Sequence, residues 1–110
     1  MINILISIKP LSVNDAFQGR RFKTAECKQY EKDLWVLLPK KKRVEGKYSL
    51  TLDFFLRSPG RGDISNLVKI LEDILVKKGY VEDDRYCYDL RVRKHKAPQD
   101  SIGIEIMPFI

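Results

Sequence analysis

With 110 residues, 44% of them hydrophobic, the chain has enough material for one sheet and two helices around a single core, and too little for a second, regulatory domain. That hydrophobic share excludes an intrinsically disordered chain, and no apolar run approaches the roughly 20 residues that cross a bilayer. A formal net charge of +6 favours a polyanionic partner, but charge also serves simple solubility, so the placement of the charges carries more weight than their sum.

The amino terminus reads MINILISIKP, with Ile2, Ile4, Ile6 and Ile8 alternating with Asn3, Leu5, Ser7 and Lys9. This period of two in β-branched residues predicts a first strand. The segment stops at Pro10 and lacks the basic start, long apolar stretch and small-residue cleavage site of a signal peptide. An intracellular, cytoplasmic and soluble protein is therefore expected. Residues 10–22 hold Pro, Ser, Asn, Asp and Gly and read as a loop, running into the basic cluster Arg20, Arg21 and Lys23. Thr24 is placed to cap a first helix in which Cys27, Tyr30, Leu34 and Leu37 recur at helical spacing until Pro39 stops it. Lys40, Lys41, Lys42 and Arg43 then form a basic loop.

A second strand is expected over residues 47–57, with Tyr48, Leu50, Leu52, Phe54 and Leu56 on one face and Lys47, Ser49, Thr51, Asp53 and Phe55 on the other. After a turn over residues 58–62, a second helix starts near Asp63, carries the apolar stripe Ile64, Leu67, Val68, Leu71, Ile74 and Leu75, and ends at Gly79. Strands three and four cover about residues 85–94 and 101–107, with the APQD segment as a hairpin connection. The order β-α-β-α-β-β predicts an α+β fold in a single domain over residues 1–110: a four-stranded mixed sheet covered by two helices. Cys27 and Cys87 sit in no CxxC, and His95, the only histidine, cannot complete a zinc site with them; both are expected as reduced thiols.

The polar side of the second helix carries the chemistry. At 100° per residue Asn66, Lys69 and Asp73 share a sector of about 60°, roughly opposite the apolar stripe. Asp63 stands at the helix start, and Glu82, Asp83 and Asp84 follow its end. Each has an ordinary use: Asp63 or Ser65 as an N-cap, Lys69 with Asp73 as a surface ion pair, the acidic triplet as a solvated turn. Together, carboxylates concentrated in a basic chain suit a hard divalent cation such as Mg²⁺, with a nearby lysine to contact a scissile phosphate.

The run GDISNLVKILEDILVKKGYVEDD resembles the signature of the RusA family of Holliday-junction resolvases, the crossover junction endodeoxyribonucleases. Asp63, Asn66, Leu67 and Lys69 match its Asp-x-Asp-Asn-Leu-x-Lys start. Asp73, Ile74 and Leu75 match an Asp-Ala-Leu-like turn, and Gly79, Asp83 and Asp84 match the closing Gly and Asp-Asp, all without a gap. PLSVN over residues 10–14 and RRFKT over residues 20–24 are similar to the family's amino-terminal pattern. The resemblance implies a homodimeric, structure-selective endodeoxyribonuclease that introduces paired nicks in four-way DNA junctions with Mg²⁺, or Mn²⁺, in recombination and repair. It puts Asp63 and Asp84 at the family's metal-binding aspartates and Lys69 at its active-site lysine, so Asp63, Lys69 and Asp84 are expected in catalysis, with Asp83 counted beside Asp63 and Asp84 at the metal. Ser65, Asn66 and Asp73 support them, and Arg20, Arg21, Lys23, Lys40, Lys41, Lys42 and Arg61 are expected to follow DNA phosphates. Arg91, Arg93, Lys94, His95 and Lys96 extend that surface, with His95 as plain surface rather than a base.

Ser65 departs from the pattern, which often has a second aspartate there. Either Asp83, Glu82 or water fills the gap, or the chain binds branched DNA without cutting it. A helix over residues 63–78 is about 24 Å long, and the residues from Gly79 to Asp84 reach back about 16 Å at most. Either the chain climbs back along the polar face towards Lys69, or a second subunit completes the acidic cluster. The expectation is a composite dimer site in which Asp83 or Asp84 approaches Asp63 of the other chain, as suits symmetric nicking.

Overall fold

The computed structural model describes residues 1–12, 17–18, 22–60 and 63–110, with residues 17, 18 and 22 described by their backbone alone. Arg20, Arg21 and Arg61 of the expected phosphate track lie outside the described residues. The elements are β1 (Ile2–Ile6), β2 (Phe17–Gln18), β3 (Phe22–Lys23), α1 (Ala25–Leu37), β4 (Tyr48–Leu56), a 3-10 turn (Ile64–Leu67), α2 (Lys69–Lys77), a second 3-10 turn (Asp84–Tyr86), β5 (Cys87–Lys96) and β6 (Ser101–Pro108). No helix among them is long and apolar enough to cross a membrane.

Four strands form one mixed sheet in the order β1-β6-β4-β5, with β4 and β5 parallel and the other pairs antiparallel. The alternation read from β4 is fulfilled: Tyr48, Leu50, Leu52, Phe54 and Leu56 are all buried on the face that meets the helices. Ile102, Ile104 and Ile106 of β6 and Ile2, Ile4 and Ile6 of β1 continue that layer. The helices cover one face only, so Asp53, Phe55, Arg93 and His95 lie on the open one. There Arg93 Nε and His95 Nε2 each lie 2.7 Å from Asp53 Oδ1, and His95 stacks on Phe55 at 4.8 Å between ring centroids. His95 is therefore a member of a sheet-face cluster. Phe54 is fully buried at the centre of the sheet, so Phe54→Ala is expected to lower unfolding free energy by about 3–5 kcal/mol. Urea denaturation should show this as a lower midpoint at unchanged slope.

Four details differ from the sequence reading. Residues 10–22 are not all loop: β2 and β3 form a two-residue antiparallel pair at its end. On α1, where Thr24 Oγ1 accepts from the Cys27 backbone N at 3.2 Å, the buried series is Cys27, Tyr30, Leu34 and then Leu38, while Leu37 is exposed. The APQD connection is not a hairpin. α2 carries the chain over to lay β5 parallel along one edge of β4, so β6 must take the other edge, where its three isoleucines are buried. The connection crosses the end of β4, with Ala97 N donating to Leu56 O and Arg57 N to Asp100 Oδ1. Finally, the second helix opens as a 3-10 turn before α2 begins at Lys69.

Candidate active site

The end of α2 decides where the acidic triplet goes. Gly79 adopts φ 85°, a left-handed conformation that suits glycine. Around it Tyr80 N donates to Leu75 O and Gly79 N to Val76 O, the paired bonds of a Schellman cap. The cap reverses the chain, and Val81 is then pinned beside Val44 by a parallel bridge. The reversed segment brings Asp84 back along the helix within one chain: Lys69 Nζ lies 3.3 Å from Asp84 Oδ2 and 3.4 Å from Asp73 Oδ1. The chain thus climbs back towards Lys69, and Asp84 meets Lys69 rather than Asp63.

Lys69 is thus held between two carboxylates from different elements, and Asp73 and then Asp84 raise its pKa. It keeps its charge through the neutral range. The ion pairs are open to water, with the Lys69 side chain 60% exposed, so they contribute little stability and leave the ammonium accessible. Asp83 is partly committed elsewhere. Its Oδ1 accepts from Arg85 N at 3.1 Å, capping the second 3-10 turn, and that bond lowers its pKa.

Asp63 occupies the N-cap position of the first 3-10 turn, but its side chain makes no capping hydrogen bond. The exposed carboxylate instead opens onto a groove of about 510 Å³ whose walls include Glu26, Arg57, Leu67, Lys94 and Asp100. Lys94, whose Nζ donates to Pro59 O at 3.2 Å, shares this groove with the cations Lys9 and Arg57, none of which sequence reasoning placed near Asp63. Ser65 lies on the other side of the turn, in a second groove with Ile64, Val68, Lys69, Glu72, Leu90 and Val92. Asn66 lines neither groove; the 3-10 turn breaks the single α-helical projection that had placed it beside Lys69.

Glu72, next to the signature residue Asp73, was passed over in the sequence. It is half-buried, and burial first, then the charge of Asp84, pushes its carboxyl above the usual carboxylate range. Its position in the groove that holds Ser65 and Lys69 puts a carboxyl close to where the signature's second aspartate is missing. Among the described residues, however, no three of His, Cys, Asp and Glu come together to hold a metal ion. Asp63 lines one groove, and Lys69, the partner of Asp84, lines the other.

The expected basic residues divide. Lys23 is held by Glu31 at 2.9 Å, with Lys77 at 3.8 Å from the same carboxylate. Lys40, Lys41 and Lys42 are exposed and make no ion pair among the described residues. Both cysteines are free thiols, Cys27 buried and Cys87 half-buried.

The sequence pattern of the family described as Endodeoxyribonuclease RusA matches residues 11–107. A curated relative, the Crossover junction endodeoxyribonuclease RusA of Aquifex aeolicus (strain VF5), is 28% identical over 95 residues, covering 83% of this chain and 75% of that protein.

Proposed function

The chain belongs to the RusA endodeoxyribonuclease family, and from that premise we propose that it is a structure-selective endonuclease that resolves four-way DNA junctions by paired, divalent-metal-dependent nicking. The observation that carries the reading is the return of Asp84 to Lys69 at 3.3 Å, beside a groove that also holds Ser65 and Glu72. A protonated lysine there meets a phosphodiester as a point charge and offsets negative charge that builds on it. Lys40, Lys41 and Lys42, with Arg20, Arg21 and Arg61, follow the flanking phosphates without reading bases.

Mg²⁺ or Mn²⁺ would supply activation of water and charge neutralisation at the scissile phosphate. Asp63 lines a different groove from Lys69, the partner of Asp84, which supports a homodimer in which the partner subunit completes each site. Two such sites related by a two-fold axis match the symmetry of a four-way junction.

A labelled four-way junction and a duplex of equal length, each incubated with protein and with Mg²⁺ or EDTA, test the reading. Paired nicks in the junction alone, abolished by EDTA, are expected. A junction that is bound but never cut would establish the second reading, a non-cleaving branched-DNA binder, which Ser65 favours. Restoring the carboxylate with Ser65→Asp distinguishes a weakened site from a lost one. It adds a negative oxygen ligand in the Lys69 groove and is expected to lower the Mg²⁺ concentration for half-maximal nicking about tenfold.

A further inference from the structure

Helix α1 leaves three consecutive apolar side chains outside the core. Its inward series is Cys27, Tyr30, Leu34 and Leu38, whereas Trp35, Val36 and Leu37 are 46%, 80% and 43% exposed. Lys78, just past the end of α2, fixes the tryptophan: its Nζ donates to Trp35 O at 2.7 Å and sits 4.3 Å from the ring centroid. A cation thus orients the ring while nearly half of the residue stays in water.

The basic loop begins five residues further on. Lys40, Lys41, Lys42 and Arg43 are all exposed and make no ion pair among the described residues. The loop is anchored at both ends by one buried residue, Tyr80. Its hydroxyl donates to Pro39 O, its backbone O accepts from Val44 N at 2.9 Å, and Leu38 and Val44 flank the loop inside the core. Four cations between two fixed points lose little freedom when they meet a row of phosphates.

We propose that Trp35 and its apolar neighbours, with Lys40, Lys41, Lys42 and Arg43, form a contact for unpaired nucleotides of branched DNA. The indole stacks on an exposed base and the loop holds the adjoining phosphates. This rests on the nucleic-acid reading above and shares Lys40, Lys41 and Lys42 with its phosphate track, but adds a base contact away from Lys69, since α2, about 13 Å long, separates the Lys69 end from the Lys78 end. Apolar exposure alone would fit any partner; Lys78 at the ring and the basic loop that follows the helix in the chain, opposed locally by Glu45, select a polyanion that also presents flat apolar rings. Destacked bases at a branch point offer both, whereas a paired duplex keeps its ring faces covered.

Trp35 is the chain's single tryptophan, so its emission reports on the contact directly. In metal-free buffer, a short oligothymidylate is expected to quench that emission saturably and an equal length of duplex far less. Trp35→Ala, measured by polarisation of a labelled oligothymidylate, should weaken binding about tenfold, with Trp35→Phe retaining most of it. The double variant Lys41→Glu, Lys42→Glu should shift the quenching midpoint by a similar factor in the wild-type indole background. Absence of quenching, equal quenching by duplex, or emission that changes with protein concentration without DNA would overturn the proposal, the last pointing to a second copy on this face. An Asp63→Asn variant separates the two readings: it should quench normally while failing to nick. A wild-type chain that nicks junctions without quenching would sink this surface and leave the endonuclease intact.

Discussion

A mixture of Asp63→Asn and Asp84→Asn subunits is expected to regain single-strand nicking of a four-way junction, although either variant alone loses about a thousandfold or more. In a site built from Asp63 of one subunit and Asp84 of its partner, a mixed dimer concentrates both defects in one cleft and leaves the other intact. The restored activity should therefore be nicking without paired resolution. The basis is the separation of the two carboxylates: Asp63 opens onto the groove lined by Arg57 and Lys94, while Asp84 is drawn to Lys69 beside the other. Unfolding would not account for the single-variant losses. Asp63 is exposed and caps nothing, and the Asp84 bond to Lys69 is open to water, so each change is expected to cost under about 1 kcal/mol. The check is a nicking assay on plasmid-borne cruciforms with subunits mixed after mild denaturation and refolding. If every mixed dimer is as inactive as its parents, the site lies within one chain.

The elements were legible where period and punctuation agreed. Tyr48 to Leu56 alternates cleanly, Thr24 caps, and Gly79 stops, and all three behave as read. Strand order was not legible, because a four-residue connection looks like a hairpin unless the partner's edge is already occupied; here α2 had placed β5 on it. The 3-10 opening was hidden for a different reason. Ile64, Leu67 and Val68 suit spacings of three and of 3.6 equally, yet the difference decides which polar residues share a side. It puts Ser65 rather than Asn66 beside Lys69 and gives Asp63 a groove of its own. The return of Asp84 was bounded by chain reach, but its end point depended on the cap at Gly79 and on the Val44–Val81 bridge, a long-range contact with no local signal.

Lys69→Met is expected to lower kcat for junction nicking by about 10²–10³-fold. Lys69 is the cation between Asp73 and Asp84, and it also lowers the pKa of Glu72. Without it, the repulsion among Glu72, Asp73 and Asp84 is unrelieved, and the Glu72 carboxyl moves further up. Lys69→Arg keeps the charge but replaces a compact ammonium by a planar fork, so partial activity is expected. Two roles remain distinct in the data. A lysine that only anchors substrate would lose junction affinity and reduce the salt slope of binding by about one, with kcat unchanged. A lysine that acts on the reacting phosphate would lower kcat while the slope stays within that of the wild type. With its side chain 60% exposed, Lys69 can be replaced without loss of the fold, so thermal unfolding of the variant should stay close to the parent's. Unchanged kcat in Lys69→Met would remove the residue from the chemistry and return its two ion pairs to the surface role that i,i+4 spacing alone suggests.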